Sequence, residues 1–393
     1  MSVTGHLAGA PGELVAVDLP PGEHWLEVFS DLWRLGVSVF PVDHRLADRE
    51  KEALLELARP AVVVSPDGSM VFGEPARADP DRAAFVVATS GTGGAPRLAE
   101  LPRAAIRAAI ERSNVALGAE PDDPWLAVLP PGHVGGLLVY LRSAVLGTPL
   151  EAHSRFDPDV LDGAGRVFVS VVPTMVGRLV EAEASLAGVT LLVGGDRLEP
   201  GLRDAAAGLG ARVVGSYGLT EACGGVAYDG VLLEGTDARV PSDGTIELAG
   251  TTLMDGYRND PAATAEAFTL DGWLRTRDLG ELGADGRLEI LGRADEAITS
   301  GGETIWPQEI EAVLEDHPKV GEVAVAGVPD AERGQHVAVW VVPRSYENPP
   351  TLEELVRHAT GRIARFKLPR DLSLVSRLPR TPSGKLIRLH LKP

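Results

Sequence analysis

Five loops in this sequence carry residue types that can hold a nucleotide and help move a phosphate. Thr89-Ser90-Gly91-Thr92-Gly93-Gly94-Ala95-Pro96-Arg97 leaves the apolar run Phe85 to Ala88. Its small residues let backbone N–H groups and hydroxyls face a phosphate, because no side chain blocks the approach. It lacks the Gly-Lys-Ser/Thr ending of a Walker A loop, and an ordinary glycine-rich turn is the alternative. Gly215-Ser216-Tyr217-Gly218-Leu219-Thr220-Glu221 follows the run Arg212 to Val214. Tyr217 offers a flat face to a base, Thr220 a hydroxyl to a phosphate, and Glu221 a hard oxygen to Mg²⁺. Here the alternative is a strand-end turn with a solvated Glu. In Trp273-Leu274-Arg275-Thr276-Arg277-Asp278 the carboxylate can accept two hydrogen bonds from a ribose diol, or simply cap a turn.

The fourth loop runs from Gly292 to Glu311. Pro307 suits the first position of a helix. The pair Gly301-Gly302 suggests unusual backbone angles or close approach of a ligand. An interdomain linker is the plain alternative. The fifth is Pro379-Arg380-Thr381-Pro382-Ser383-Gly384-Lys385. A lysine on a tight Ser-Gly turn can reach into a cleft, or it can be a solvated residue on a tail.

The elements that must position these loops are legible as alternating periodicities. His24 to Leu35 has helical apolar spacing, then Gly36 and the β-rich Val37 to Phe40 follow. Glu50 to Leu57 reads as a second helix and Ala61 to Ser65 as a buried strand. Phe85 to Ala88, Leu126 to Leu129, Val167 to Val172, Leu191 to Val193 and Arg212 to Val214 read as further strands. Between them lie the apolar segments Val134 to Leu146 and Val176 to Ala187 and the helix Leu202 to Gly208. Repeated strand–helix–strand units predict α/β architecture, with parallel sheets covered by helices. After about Ala222 the character changes. Asp243-Gly244, Asp255-Gly256, Asp271-Gly272 and Asp285-Gly286 read as turns of antiparallel hairpins. A compact α+β segment ends the chain: helix Pro307 to Leu314, strands Val320 to Val328 and Gln335 to Pro343, helix Thr351 to Ala364. The boundary is expected at Gly292 to Glu296, where the run is polar and the period changes.

Composition limits the partners. The 393 residues are 44% hydrophobic and 24% charged, which suits a globular chain of two or three domains. Lys plus Arg is 37 against 56 Asp plus Glu, a formal charge of −19. Such a chain repels phosphate backbones and anionic lipid, so nucleic acid is not an expected partner. The single Cys223 excludes an intrachain disulfide and fits a reducing compartment. By residue habit it is a small buried apolar group rather than a nucleophile. Met1 to Val15 has neither a basic start nor an apolar core, so no signal peptide is expected. The longest uncharged stretch, Pro124 to Leu141, is too broken by Pro and Gly to span a bilayer. A cytoplasmic protein without membrane insertion is expected.

The five loops, in this order and spacing, resemble the adenylate-forming superfamily of acyl- and aryl-CoA synthetases, stand-alone adenylation domains and luciferases. The resemblance runs from about Trp25 to Arg388, and Gly327-Val328-Pro329-Asp330 also fits. It implies a large N-terminal domain of stacked αβ sheets with a small β-barrel-like subdomain, then a smaller mobile α+β C-terminal domain. In this numbering the adenylation domain is 1–292, its β-rich part about 226–292, the hinge 293–296 and the lid 297–393. The implied chemistry is activation of a carboxylate by Mg·ATP through an acyl-adenylate, with pyrophosphate released, then transfer to a thiol such as CoA.

By motif, the resemblance implies that Ser90, Gly91, Thr92 and Gly93 border the pyrophosphate. Gly194, Gly195 and Asp196 would border adenine, with Tyr217 stacked on it. Thr220 would touch the phosphates and Glu221 the Mg²⁺, while Asp278 and Arg293 would hold the ribose. Asp295 would be the hinge, and Lys385 would bridge the carboxylate and the α-phosphate. Rotation about Asp295 would then present Gly301 and Gly302 for thiol entry.

The chain departs from the family where Gly93 replaces a usual Ser or Thr and Arg97 a usual Lys. One lost hydroxyl removes a hydrogen bond worth roughly 1.5–3 kcal/mol to a charged partner, and a guanidinium fork differs from an ammonium. Weaker or slower ATP handling is expected, not inactivity. A long N-terminal stretch usual in the family is also expected to be absent. With that shortening, Pro130-Pro131-Gly132-His133-Val134-Gly135-Gly136 and Arg142 resemble the actinobacterial-type o-succinylbenzoate–CoA ligases of menaquinone synthesis. His133 would then lie at the acyl pocket, with Ser170 and Thr174 nearby. Arg142 would pair with a second substrate carboxylate, or else be an arginine on a helix surface. Phe156-Asp157 resembles the amine-binding Asp of amino-acid adenylation domains, but its neighbours do not match. The partners so implied are a small carboxylic acid, ATP and CoA. The alternatives are an enzyme that loads a carrier-protein thiol and a nucleotide-binding pseudo-synthetase. A homodimer is compatible with the sequence, which does not fix the oligomeric state.

Overall fold

The computed structural model describes residues 13–71, 83–89, 96–294, 296–300, 303–380 and 386–391. The chain forms two compact units. The first takes the described residues up to Ala238, with Leu248–Arg275 and Asp285–Arg287. The second takes Arg239–Glu247, Thr276–Ala284 and the described residues from Leu288 onward.

In the first unit, alternation of strand and helix begins with β1 (Leu14–Val17), α1 (Glu23–Arg34), β2 (Ser38–Pro41), α2 (Asp48–Ala58), β3 (Val62–Ser65), β4 (Gly68–Val71), β5 (Ala83–Thr89), β6 (Arg97–Pro102) and α3 (Arg103–Leu117). It continues with β7 (Trp125–Ala127), α4 (Val134–Leu141), β8 (Leu150–Ala152), β9 (Val167–Val171), α5 (Pro173–Glu181), β10 (Val189–Val193), α6 (Pro200–Gly208), β11 (Arg212–Leu219), β12 (Gly224–Tyr228) and β13 (Val231–Leu232). Along the chain come next β14 (Thr236–Arg239) and β15 (Thr245–Gly250), of which Arg239 and Thr245–Glu247 belong to the second unit, and then β16 (Gly256–Tyr257) and α7 (Pro261–Ala267) of the first.

Two seven-stranded sheets result. The first has the order β16-β6-β5-β2-β1-β3-β4 and the second β13-β12-β11-β10-β9-β7-β8. In the second, β8, β7, β9, β10 and β11 run parallel, with β10 central between β9 and β11. Every residue of β9 and β10 is buried, as expected for strands covered on both faces. Val169, Val171, Leu191 and Val193 pack there with Leu179 from α5 and Ala206 from α6. Each Val or Leu among them contributes about 1.5–3 kcal/mol on burial. The first sheet has its own core around Leu14, Phe40, Val63, Val86 and Leu98.

In the second unit, β17 (Leu274–Leu282) and β18 (Leu288–Arg293) pair antiparallel, and with β14 and β15 they make a four-stranded sheet. The chain then forms β19 (Ile298–Ser300), β20 (Glu303–Ile305), α8 (Pro307–Glu315), β21 (Val320–Asp330), β22 (Gly334–Pro343), α9 (Leu352–Ala359) and β23 (Asp371–Leu374). β21 and β22 form a long hairpin, and α8 and α9 pack on its Val323, Val325, Val339 and Val341 face. The α/β class expected from the sequence is the class adopted, with a large N-terminal domain and a smaller C-terminal one. Among the described residues no helix is long and apolar enough to cross a membrane.

Two local expectations differ from the structure, and a third segment gains its assignment from it. Asp255-Gly256 is not a hairpin turn: Gly256 and Tyr257 form an edge strand paired with Glu100 and Ala99 of β6. The second helix of the C-terminal segment stops at Ala359, because Thr360 is extended and Gly361 has φ +83°. The Val134 to Leu146 segment is α4 followed by a π-turn at Arg142–Leu146, a widening that redirects the side chains after Leu141.

Candidate active site

The parallel strands β7, β9, β10 and β11 end on one edge of the second sheet, and ligands bind α/β sheets at such carboxyl ends. The segments that leave these ends carry most of the described sequence-derived candidates of the first unit. Pro130 to His133 follows β7, Thr174 opens α5 after β9, Gly194 to Asp196 follows β10, and Thr220-Glu221 follows β11. Thr174, Gly195 and Asp196 are exposed, and Tyr217, Thr220 and Glu221 are half-buried. Ser170 lies inside β9 and is buried, opposite Leu192. It is a strand residue one step below the edge.

Thr220–Ala222 forms a single 3₁₀ turn held by the Cys223 N–H on the Thr220 carbonyl at 3.1 Å. The Glu221 carbonyl accepts from Met254 N–H at 2.8 Å, and its Oε1 accepts from the Tyr257 hydroxyl at 2.8 Å. Burial and the adjacent Glu221 carboxylate push the Tyr257 phenol upward, so it stays protonated and donates. The Arg97 guanidinium carbon lies 5.3 Å from the Tyr257 ring centroid and its Nη2 4.0 Å from Glu266. Among the described residues no cluster of three acidic, His or Cys ligands could cage a metal. One half-buried carboxylate fits Mg²⁺ brought with substrate phosphates, since that ion usually keeps waters and one or two carboxylates.

His133 precedes the first turn of α4 without a side-chain capping bond and directs Nε2 to Asp43 Oδ2 at 3.1 Å. Asp43 is buried and also receives Arg45 Nε at 2.9 Å and Nη2 at 2.6 Å. Burial alone would raise the Asp43 carboxyl, but the hydrogen bonds from Arg45 and His133 outweigh it and hold it far below the usual carboxylate range. Gly132 permits this approach, because a Cβ there would sit 2.8 Å from the Asp43 backbone. A cavity of about 450 Å³ adjoins this corner, lined by Arg45, Pro130, Phe156, Met175, Arg155 and Arg178 among others. Asp157, set aside as an amine ligand, accepts Asp159 N–H and caps a short 3₁₀ turn.

Arg142 is placed differently from the sequence reading. It is 2% exposed and stands neither on a helix surface nor in an open cleft. Its Nε donates to Asn114 Oδ1 at 2.9 Å, Nη1 to the Leu138 carbonyl at 2.9 Å and Nη2 to Ser113 Oγ at 2.5 Å. The guanidinium carbon lies 3.9 Å from the Trp125 ring centroid. Burial lowers the guanidinium to about 10. α4 is apolar nearly all round, so a side chain leaving its C-terminal end enters the core.

Cys223 is fully buried with φ +53°, in line with the apolar reading, and burial raises its thiol well above the usual range. It is expected to be silent to Ellman's reagent in the folded chain and to yield one equivalent only on denaturation. Rapid native reaction would contradict the packing.

In the second unit, Asp278 faces Arg293 across β17 and β18, with Nη1 to Oδ1 at 3.3 Å. The expected ribose pair is therefore assembled by strand register alone. Ser90 to Gly93, Asp295, Gly301, Gly302 and Lys385 lie outside the described residues. Sequence reading missed Asp43 and Tyr257. Asp43 sits in Asp43-His44-Arg45, two residues beyond the end of β2, in a loop of the kind that often carries functional side chains. Tyr257 was hidden by reading Asp255-Gly256 as a turn, although Asp260-Pro261 marks a helix start immediately behind it.

The AMP-binding enzyme model matches residues 66–255, and the AMP-binding enzyme C-terminal domain model matches 309–385. A probable 2-succinylbenzoate–CoA ligase of Mycobacterium tuberculosis is 39% identical over 79% of this chain and 84% of its own length. The chain belongs to the AMP-binding enzyme family. It is accordingly an AMP-forming acid–thiol ligase. The o-succinylbenzoate CoA synthetase of Bacillus subtilis, solved with the acyl-adenylate intermediate OSB-AMP, superposes with a TM-score of 0.88 at 27% identity, covering 100% of this chain and 90% of that one. The same Bacillus subtilis enzyme, solved with ATP and magnesium ion, gives 0.86 at 26% identity, covering 100% and 91%. The family expected from the five loops is thus the family found.

Proposed function

We propose that the chain joins o-succinylbenzoate, or a closely related aryl dicarboxylate, to CoA through an acyl-adenylate. The observation that carries this reading is the convergence of His133, Tyr217, Thr220 and Glu221 on the carboxyl edge of one parallel sheet. The Mycobacterium tuberculosis relative supports the choice of acid. The cavity beside the Asp43–His133 corner supports an anionic ligand: Arg45, Arg155 and Arg178 line it, and although Asp43 and Asp157 offset two of them, it is less negative than a chain of charge −19 presents on average.

Tyr217 gives the base its stacking face, and Thr220 donates to phosphate. Glu221 would hold Mg²⁺, which supplies charge neutralisation at the leaving pyrophosphate. Ser90 to Gly93 would surround that pyrophosphate, and Gly194 to Asp196 the adenine edge. His133, oriented by Asp43, borders the acyl group. Asp278 and Arg293 would bind the ribose. Lys385 would stand between the carboxylate and the α-phosphate during adenylation, and a turn about Asp295 would withdraw it and bring Gly301 and Gly302 to the thiol. The cytoplasm, with its reduced thiols, suits this reading; a homodimer is compatible with it, and light scattering distinguishes monomer from dimer.

A panel of carboxylic acids with ATP and CoA, read by mass spectrometry, tests the reading. The expected product is the mono-CoA thioester of o-succinylbenzoate together with AMP and pyrophosphate. Transfer only to a phosphopantetheinyl protein would favour carrier loading. No acid-dependent pyrophosphate release with any acid would leave a nucleotide-binding pseudo-synthetase.

A further inference from the structure

The loop Met254 to Asn259 is fixed at several points around Glu221. Its Met254 N–H donates to the Glu221 carbonyl at 2.8 Å, and Asp255 N–H donates to the Glu100 carbonyl at 2.9 Å. Gly256 and Tyr257 pair with Glu100 and Ala99 of β6. Gly256 holds φ +153°, and a Cβ there would lie 2.7 Å from Thr264 Cγ2, so the edge strand sits tightly on α7. Thr264 Oγ1 accepts Tyr257 N–H at 2.8 Å. Arg258 is buried and donates to the Ala58 carbonyl and to Glu100 Oε1, both at 2.8–2.9 Å. A backbone anchored this firmly leaves the Tyr257 side chain few choices of direction. Its hydroxyl ends on Glu221 Oε1, and its ring lies under the Arg97 guanidinium.

We propose that Tyr257 is a positioning residue that aims the Glu221 carboxylate, and that Arg97 steadies Tyr257 from the β6 side. The proposal rests on Glu221 being the Mg²⁺ ligand. A carboxylate with one oxygen tied by a charge-assisted hydrogen bond has lost most of its rotational freedom, so the other oxygen meets the ion without an ordering cost at binding. Arginine suits position 97 for the same purpose, because a planar guanidinium covers an aromatic face better than an ammonium does. The departure at Arg97 is then a different way of holding the site, through a ring rather than through a phosphate.

Calorimetric binding of a non-hydrolysable α,β-methylene ATP, with and without Mg²⁺, tests this apart from turnover. Tyr257→Phe removes one oxygen and keeps the packed ring. It is expected to weaken the Mg²⁺-loaded analogue about tenfold, the scale of one hydrogen bond to a charged group. The metal-free analogue should bind as to the unmodified chain. Glu221→Gln should show the same pattern, and the double variant should be little worse than Glu221→Gln alone, because one residue acts through the other. Arg97→Gln should cost about threefold, again only with Mg²⁺. An unchanged Glu221→Gln would remove the metal role itself. A weakened Glu221→Gln beside an unchanged Tyr257→Phe, or fully additive losses in the double variant, would overturn the positioning role. Loss of metal-free binding in Arg97→Gln would put Arg97 on the nucleotide and out of this chain of contacts.

Discussion

Lys385→Ala is expected to lower acid-dependent pyrophosphate release by roughly 10²–10³-fold, the scale of removing one preorganised group that meets developing charge. The reaction must bring a carboxylate against a triphosphate, and both are negative. The cation lowers that repulsion most where charge is most crowded, in the transition state. Ground-state ATP binding draws mainly on the base, ribose and phosphate contacts, so its affinity should change little. The C-terminal family match extends to this lysine, from residue 309 to 385. Thioester formation from a preformed acyl-adenylate should survive the substitution, because the role proposed for Lys385 ends once the phosphoanhydride is broken. Stopped-flow pyrophosphate release and single-turnover transfer from the adenylate separate the two steps. Near-normal adenylation in the variant would show that another cation does this work.

Arg142→Ala is expected to act on stability rather than on substrate choice. The substitution empties a large fully buried volume beside Trp125 and strips partners from Asn114, Ser113 and the Leu138 carbonyl. Cavity and unsatisfied polar groups together cost about 3–5 kcal/mol, or a Tm fall of roughly 10 °C for a unit of this size. Pairing with a second substrate carboxylate would instead raise KM far more for a dicarboxylic acid than for a monocarboxylic analogue. Thermal unfolding, with KM for a dicarboxylic acid and its monocarboxylic analogue on folded protein, decides between them. An unchanged Tm with a selective KM rise would return Arg142 to the substrate.

Arg142 illustrates where sequence reading runs out. Its type and its place near an apolar run were visible, but the direction of its side chain depends on a π-turn and on which face of α4 is buried. Tyr257 and Glu221 are 36 residues apart and Asp43 and His133 are 90 apart, and no local period links either pair. By contrast, Asp278 and Arg293 are brought together by a hairpin whose Asp285-Gly286 turn is written in the chain, so register followed from local chemistry.

From the chain alone came the alternation of strands and helices, the glycine-rich and acidic loops, the family and the type of reaction. These depend on backbone preferences and residue chemistry that act over a few neighbours. Tertiary structure alone settled that the Arg142 cation is entombed, and that Asp43 and Tyr257 are the side chains bonded to His133 and Glu221. Those outcomes depend on packing between elements far apart in sequence, where burial and a single hydrogen bond of about 1–3 kcal/mol choose one direction for a side chain over another.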